Sequence, residues 1–507
     1  MGQKTWSDVL WGSQSKVAYL LIAATILLLA MLGGREIWTQ EHRWADIVYG
    51  MFYRHDFLHP YLGESDYYDK PLLSYWMIAG VSYLMGQVST WALRLPSALA
   101  GILAIWSIYR IGVKLKDQRL GLLSGWLLLT TFYFIFWAKT SSADMLNLGG
   151  TLFAVCWYFE KKEQPGFANY AVFFLILAVT SLCKGLVGAI VPLIVIFPDL
   201  VMQGEWKKHL RMSFLLGMIP AAIVYVLPFW ASAYFGSGGG YGENGLYLVY
   251  RENILRYFQP FDHKGPIYTY FLYLPIYLLP WAFFFIPSLF SLKSRWNGLS
   301  TSSKSMCWAV LLLFLFFTLS GSRRNYYVLP IVPFAILMTA DWILSGADVL
   351  AKRYVWAGRV AISFFVLLFL SFDVAQPLYY AQGGMRGFAT ELKNDVSKVK
   401  PWSDWQFVML DPESKVRFYL ELPPTVKNYV MPGSQRGEQT QASLMQAWPV
   451  LNQLQPGVIF ISRKSYEPLL RNILPGYQVV EAPPTLGERL LKKHNPNAPI
   501  AFVPQYQ

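Results

Sequence analysis

Between Trp38 and Trp76 the chain reads WTQEHRWADIVYGMFYRHDFLHPYLGESDYYDKPLLSYW, which sets two carboxylates, Glu41 and Asp46, beside Arg43 and the tetrad Tyr68-Asp69-Lys70-Pro71. A carboxylate at an apolar boundary loses water and its pKa climbs, while nearby cations keep it ionised; that combination makes a general base. Glu41 stands at the junction of an apolar run and the polar stretch, and it is the acid this reading favours. Asp46 falls on the charged side of a helical pattern and is expected to face solvent.

Further along, Asp144 follows Ser141-Ser142 at the mouth of an apolar run, where an acid suits both a site and a helix N-cap. Lys184, in Leu182-Cys183-Lys184-Gly185-Leu186, interrupts a long apolar stretch. A lone lysine there can snorkel to a lipid headgroup, but a Lys-Gly break between two short apolar runs reads better as a charge held for an anion. Arg251, Glu252, Arg256, His263 and Lys264 crowd one polar segment, and Arg323 and Arg324 lie in SGSRRNYY. Any one of these cations could bind lipid, yet together, beside carboxylates, they describe a site for a lipid-linked phosphate. The glycine-rich run at 236–242 before them reads as a flexible lid.

The elements that carry these residues are membrane helices. The 507 residues are 54% hydrophobic and only 14% charged, against about 25% charged in ordinary soluble domains. Runs near 17–34, 91–113, 119–137, 145–160, 167–183, 185–202, 212–230, 267–290, 305–320, 326–345 and 354–376 reach the length needed to span lipid, giving a polytopic chain of eleven to thirteen spans. The net charge of +13 is scattered between these runs, so it carries topology and does not indicate nucleic acid. With the N-terminus inside, the loops holding Lys114 and Lys116, Lys161 and Lys162, Lys207 and Lys208, Lys293 and Arg295, and Lys352 and Arg353 all fall on the cytoplasmic side. The opposite face then collects 35–90, 138–144, Lys184, 231–266 and 321–325. This assignment requires 72–86 to lie in the interface, like the amphipathic helix expected between Trp44 and Phe52. Cys156, Cys183 and Cys307 lie in or at the ends of apolar runs and read as packing residues.

Beyond 376 the composition becomes that of a soluble α/β domain, 377–507, placed outside, after a transmembrane domain over 1–376. Strands are expected at Trp405–Leu410, Val416–Leu420 and Val458–Ser462, with helices around 389–399, 441–454 and 466–473. No phosphate loop or nucleophile elbow is present.

The ordered set EHRWAD, YYDKPLLSYW, SSAD, CKG, RENILRYF with HKGP, and SGSRRNYYVLP resembles the GT-C polyprenyl-phosphate-dependent glycosyltransferases, in the branch of aminoarabinose lipid A transferases and protein O-mannosyltransferases. The likeness covers nearly all of 15–345. It implies a bacterial inner-membrane enzyme, working at the periplasmic face, that moves a sugar from a polyprenyl phosphate to a lipid, glycan or protein acceptor with inversion. In that set Glu41, Asp69-Lys70, Asp144, Lys184, His263-Lys264 and Arg323 or Arg324 match the family's motifs. With the charge pattern above, Glu41 and Asp144 are the expected catalytic acids, Lys70, Lys184, Arg256, Lys264, Arg323 and Arg324 the expected partners of the donor phosphate, and Arg43, Tyr68, Asp69 and Glu252 the expected substrate contacts. The first acid of the family's Asp-Glu pair is Gln40 here. Asp69 and His263 are a candidate pair for a divalent metal ion. A lipid-sugar flippase or a ligase of whole lipid-linked glycans would share part of this pattern; a flippase more often keeps its charges at mid-bilayer in repeated halves.

Overall fold

A computed structural model describes residues 5–38, 40–63, 65–235, 250–260, 263–345, 347–381, 383–429, 457–492 and 495–505. The glycine run at 236–242 and the helix expected at 441–454 lie outside them. The chain forms two compact units. One comprises Met1–Leu32, Phe57–Pro60 and Asp66–Ser371; the other comprises Gly33–Asp56, Tyr61–Ser65 and Phe372–Gln507. The second unit thus draws residues of the first polar loop together with the C-terminal part of the chain.

In the first unit a short helix α1 (Trp6–Trp11) precedes the apolar helix α2 (Val17–Leu29). The second helix stops early although apolar residues continue, and its end is held by buried cations. Lys139 Nζ donates to the carbonyls of Leu27 (2.9 Å) and Ala30 (2.8 Å), and Arg94 donates to Leu32 O (3.0 Å). Both side chains are buried, and a cation at a helix C-terminus satisfies carbonyls that would otherwise lack partners. Helix α3 (Glu41–Arg54) belongs to the second unit. Helix α4 (Leu73–Met85) has 13 residues, about 20 Å at 1.5 Å per residue, which is too short to cross about 30 Å of hydrocarbon. It buries Tyr75, Ile78 and Ala79 and leaves Met77 and Leu84 exposed.

The bundle continues with α5 (Thr90–Leu115), α6 (Gln118–Leu129), α7 (Phe132–Ala138), α8 (Ala143–Lys161), α9 (Phe167–Lys184), α10 (Val187–Met202) and α11 (Met212–Phe235). Helices α12 (Thr269–Tyr277), α13 (Ala282–Phe290), α14 (Thr301–Leu319), α15 (Val332–Ile343) and α16 (Ala347–Phe369) follow. Close approach relies on small residues, as is common between membrane helices. A Cβ on Gly149 would stand 2.8 Å from Ala100 O, so α8 lies directly on α5.

Among the described residues six helices are long and apolar enough to span a membrane, or seven if one bent pair counts as a single span. The chain is a polytopic α-helical membrane protein. The run expected at 119–137 is that bent pair: α6 and α7 meet at 71°. Thr130 and Thr131 turn their hydroxyls back onto Trp126 O (2.7 Å) and Leu127 O (2.8 Å), a bond that bends helices. The run at 267–290 divides into α12 and α13 around Leu278–Trp281, beside Pro275, Pro280 and Pro287. The runs at 17–34 and 185–202 are present as the shorter apolar helices α2 and α10.

After two short strands in the first polar loop, β1 (Tyr61–Leu62) and β2 (Ser65–Asp66), the second unit holds a five-stranded sheet in the order β4-β3-β5-β7-β6, formed by β3 (Gln406–Leu410), β4 (Asn428–Tyr429), β5 (Val458–Arg463), β6 (Tyr477–Glu481) and β7 (Pro499–Pro504). β3 runs parallel to β4 and β5, and β7 is antiparallel to β5 and β6. Side chains alternate across it. Met409, Ile459 and Ile461 pack with Phe388 and Leu392 of helix Gly384–Val396, while Val408, Val458 and Phe460 pack with Tyr466 and Leu470. The expected strand at Val416–Leu420 is instead a helix. It lies on the crossover between the parallel strands β3 and β4, a connection that needs chain off the sheet.

Candidate functional site

Lys184 is the last residue of α9, and Gly185 ends that helix with φ +117°. L side chains rarely adopt such a φ, and glycine does so without strain. Asn253 closes the turn: its Oδ1 accepts from Leu186 N at 2.7 Å and would stand 2.5 Å from a Cβ on Gly185. The ammonium of Lys184 pairs with Asp144 Oδ1 and lies 5.0 Å from the centroid of the Tyr327 ring. Asp144 does not cap α8. Ser142 is the cap, accepting from Asp144 N at 3.0 Å, so the Asp144 carboxylate is left to face Lys184.

Asn253 belongs to a π-helical turn, Tyr250–Leu255, that also carries Glu252 and leads into Arg256. Arg256 pairs with Glu252 at 2.6 Å and approaches Asp69 at 3.9 Å. Lys70 pairs with Asp69 at 3.0 Å, and Tyr67 Oη donates to the same carboxylate at 3.2 Å. Burial pushes the Asp69 carboxyl up, but Lys70 and then Arg256 more than offset this and hold it at about 2. Glu252 goes the other way, raised by burial and then by the Asp69 charge. Between these two acids, Asp69 carries the negative charge and Glu252 keeps a proton more readily.

Three cation–acid pairs therefore lie along one chain of contacts in the first unit: Lys70–Asp69, Arg256–Glu252 and Lys184–Asp144, with Asn253 joining the last to the others. All six side chains are partly buried, from 13% exposed at Arg256 to 35% at Asp69. An anion entering here meets cations already desolvated and positioned, and it displaces carboxylates rather than water.

The remaining predicted cations form a neighbouring brace. Arg323 donates to Gly265 O (2.7 Å) and Thr318 O (3.0 Å), and its N–H bonds His263 O (2.8 Å). Lys264 is exposed and bridges through its backbone to Ser322. Arg324 donates to His263 Nδ1 at 3.0 Å and to Tyr326 Oη at 3.2 Å. A guanidinium only donates, so Nδ1 is the unprotonated ring nitrogen. These contacts do not suit the metal suggested by Asp69 and His263. The Asp69 carboxylate is held by two cations and His263 Nδ1 faces a third, and among the described residues no three His, Cys, Asp or Glu side chains gather as a ligand set.

In the second unit Glu41 opens α3 with its side chain fully enclosed, accepting from Trp38 N at 2.7 Å and facing Arg35 at 3.4 Å. Arg43, two residues after that start, is half-buried, and Tyr68, in the first unit, is half-buried beside Asp69. Asp46 does not face open solvent. It is half-buried, and burial pushes its carboxyl up to about 7, against a smaller downward pull from Arg417. Arg417 is itself committed to Pro423 O (2.5 Å) and Val426 O (2.8 Å).

Sequence reasoning passed over Asn253, Tyr327, Lys139 and Arg94. For the two cations the signal was available: Lys139 stands in AKTSSAD and Arg94 inside an apolar run, both costly in lipid without a partner. Asn253 carries no charge, and only the contact with the Gly185 turn reveals it.

Comparison with known proteins supplies the context. A family model described as dolichyl-phosphate-mannose-protein mannosyltransferase matches residues 69–231. An undecaprenyl phosphate-alpha-4-amino-4-deoxy-L-arabinose arabinosyl transferase of Shewanella sediminis is 26% identical over 355 residues, covering 68% of this chain and 62% of that protein. The protein of that name from Pectobacterium atrosepticum is 27% identical, covering 67% and 61%. The chain thus matches about three fifths of the length of these relatives. Among solved structures, ArnT from Cupriavidus metallidurans bound to undecaprenyl phosphate superposes with a TM-score of 0.70 at 15% identity, covering 96% of this chain and 97% of that one. The oligosaccharyltransferase of Archaeoglobus fulgidus follows at 0.55 and 12% identity, covering 89% and 69%. The resemblance carried by the motifs holds in sequence, and the chain has the fold of these GT-C glycosyltransferases, a membrane helix bundle with a small C-terminal sheet domain.

Proposed function

We propose, from the fold shared with polyprenyl-phosphate glycosyltransferases, that this protein is a membrane glycosyltransferase that takes a sugar from a polyprenyl phosphate of undecaprenyl type. The acceptor is a lipid, glycan or protein at the outer face of a bacterial inner membrane. The observation that carries this reading is the run of three paired charges around Asn253.

A sugar phosphate is already activated, so the protein must grip the leaving phosphate and take one proton. The donor phosphate draws Lys70, Arg256 and Lys184 away from Asp69, Glu252 and Asp144. Of the two acids expected to act as base, Asp144 is the one this exchange uncovers. Once Lys184 turns to the phosphate, the Asp144 carboxylate loses its cation partner and is left to accept the proton of an acceptor hydroxyl. Glu41 is enclosed and bonded to Trp38 N and Arg35, and in this arrangement it holds the start of α3. The acceptor oxygen then attacks the sugar carbon as the bond to phosphate breaks. Its proton passes to Asp144, the electron pair leaves with the polyprenyl phosphate onto the three cations, and the sugar carbon inverts.

The test is turnover of purified protein in nanodiscs with a panel of polyprenyl-phosphate monosaccharides and lipid-linked glycans. Release of polyprenyl phosphate from a monosaccharide donor, with the sugar recovered on an acceptor, is the expected result. Use of whole glycans alone would make it a ligase, and movement of intact donor across the bilayer without cleavage would make it a flippase. Reporters fused after Lys162 and after His263 should read cytoplasm and outside respectively.

A further inference from the structure

We infer that the C-terminal unit carries a foot that rests in the bilayer surface, formed by the helix Leu486–Leu491. This inference depends on the membrane fold and not on the proposed chemistry.

The helix is well specified. Thr485 and Glu488 form a capping box at its start, a sequence-local signal that fixes where it begins. Yet it is not used for the domain's core, since Leu486, Leu490 and Leu491 are 44%, 73% and 71% exposed. Three leucines on six residues are more apolar surface than a water-facing segment ordinarily shows.

Its place along the chain identifies what covers it. The last span, α16, runs on through Leu370–Ala375 into the helix Gln376–Tyr380. Segment 483–487 lies antiparallel to the end of that helix and the turn after it. Gly384 N donates to Pro483 O (3.0 Å), a Cβ on Gly383 would stand 2.5 Å from Pro484 O, Thr485 Oγ1 donates to Tyr379 Oη (3.3 Å), and a Cβ on Gly487 would run into the Tyr379 ring. The helix Leu486–Leu491 packs on Gln376–Tyr380, the helix that follows the last span in the chain. Val374 and Leu378 on the adjoining helix are exposed as well, at 37% and 61%. The uncovered leucines therefore share an apolar surface with the segment that directly follows the last span in sequence. Arg489 and Lys492, both exposed, flank them with positive charge. Leucines with basic neighbours, beside a segment that leaves a membrane span, fit an anionic lipid surface, the apolar side chains entering the headgroup boundary and the cations meeting phosphates.

The experiment places an environment-sensitive fluorophore at Leu490→Cys, and separately at Leu491→Cys, in full-length protein with Cys156, Cys183 and Cys307 changed to alanine. Val399→Cys, at an exposed position in the same unit (51%), is the aqueous control. In nanodiscs containing anionic lipid, doxyl-labelled lipids should quench the probes at 490 and 491, at a depth ~5–10 Å inside the headgroup boundary. Aqueous iodide should quench only the probe at 399. Iodide quenching at 490 and 491 equal to that at 399 would overturn the inference. So would protection from both quenchers, which would mean that protein, such as a second copy of the chain, covers the patch.

Discussion

The exchange of Lys184 from Asp144 to a donor phosphate makes two substitutions in one ion pair act in opposite directions on binding. Two unit charges about 3 Å apart attract by about 5 kcal/mol at an effective dielectric of about 20. Desolvation takes back much of that, and with side chains 15% and 16% exposed the pair is intermediate between buried and surface cases, at about 1–3 kcal/mol net. Lys184→Met removes a charge-assisted phosphate contact worth about 1.5–3 kcal/mol, so polyprenyl phosphate should bind about 10- to 100-fold more weakly. Asp144→Asn removes the competitor for Lys184. Binding should be unchanged or up to about tenfold tighter, while turnover is lost with the base. The assay is equilibrium binding of polyprenyl phosphate to each variant in nanodiscs, alongside single-turnover transfer. If Asp144→Asn weakened binding as much as Lys184→Met does, the pair would be a structural clamp and the exchange would be wrong.

Gly185→Ala should be damaging out of proportion to its size. The new methyl enters the position of Asn253 Oδ1 from a backbone at φ +117°, so donor binding should fall with it; wild-type affinity in that variant would show that the turn does not position Lys184. Glu41→Gln should retain transfer at a reduced level, because Gln still accepts from Trp38 N, and Gln40→Asp should not abolish activity. A folded Glu41→Gln protein that binds donor but cannot transfer would return the base role to Glu41. Asp46 sets a pH dependence in the second unit. Its folded carboxyl at about 7 lies above the unfolded value of about 3.9, so the native state binds the proton more tightly. Stability is then fullest below about 4, declines as pH rises to about 7, and is level above that; the decline is on the order of 1–3 kcal/mol, since the side chain keeps some water. Hydrogen-exchange protection factors in α3 and in Val416–Leu420 should fall from pH 5 to pH 8 in the wild type and far less in Asp46→Asn. An equal change in both would refute the assignment.

Much of this was legible because lipid makes polar residues costly, so each one in an apolar chain marks a partner or a site. Asp144, Lys184, Asp69, Lys70, Glu252 and Arg256 stood out on that ground, and the fold brings them into one run of contacts. Pairing was not legible, because it depends on which loops meet. Arg256 meets an acid four residues back and another in a distant loop, and nothing in its spacing names Asp69. How Arg323 and Asp46 are held was not legible for the same reason. One is spent on carbonyls of two loops, and the other is covered by a segment more than three hundred residues away. Local rules failed at Val416–Leu420, where five apolar-rich residues fit a strand or a helix equally and the crossover decides. They failed again along 119–137, where two threonines bend what hydropathy reads as one span.

The central claim is that the three cations around Asn253 hold a lipid-linked phosphate. Its most direct measurement is the affinity of polyprenyl phosphate for the wild type, for Lys70→Met, Arg256→Met and Lys184→Met, and for the triple variant, at low and high salt. Each single change should weaken binding about tenfold or more, the triple variant should bind no better than a bare nanodisc, and transfer should fall in step. Undiminished affinity in the triple variant, in protein that is shown to be folded, would contradict it.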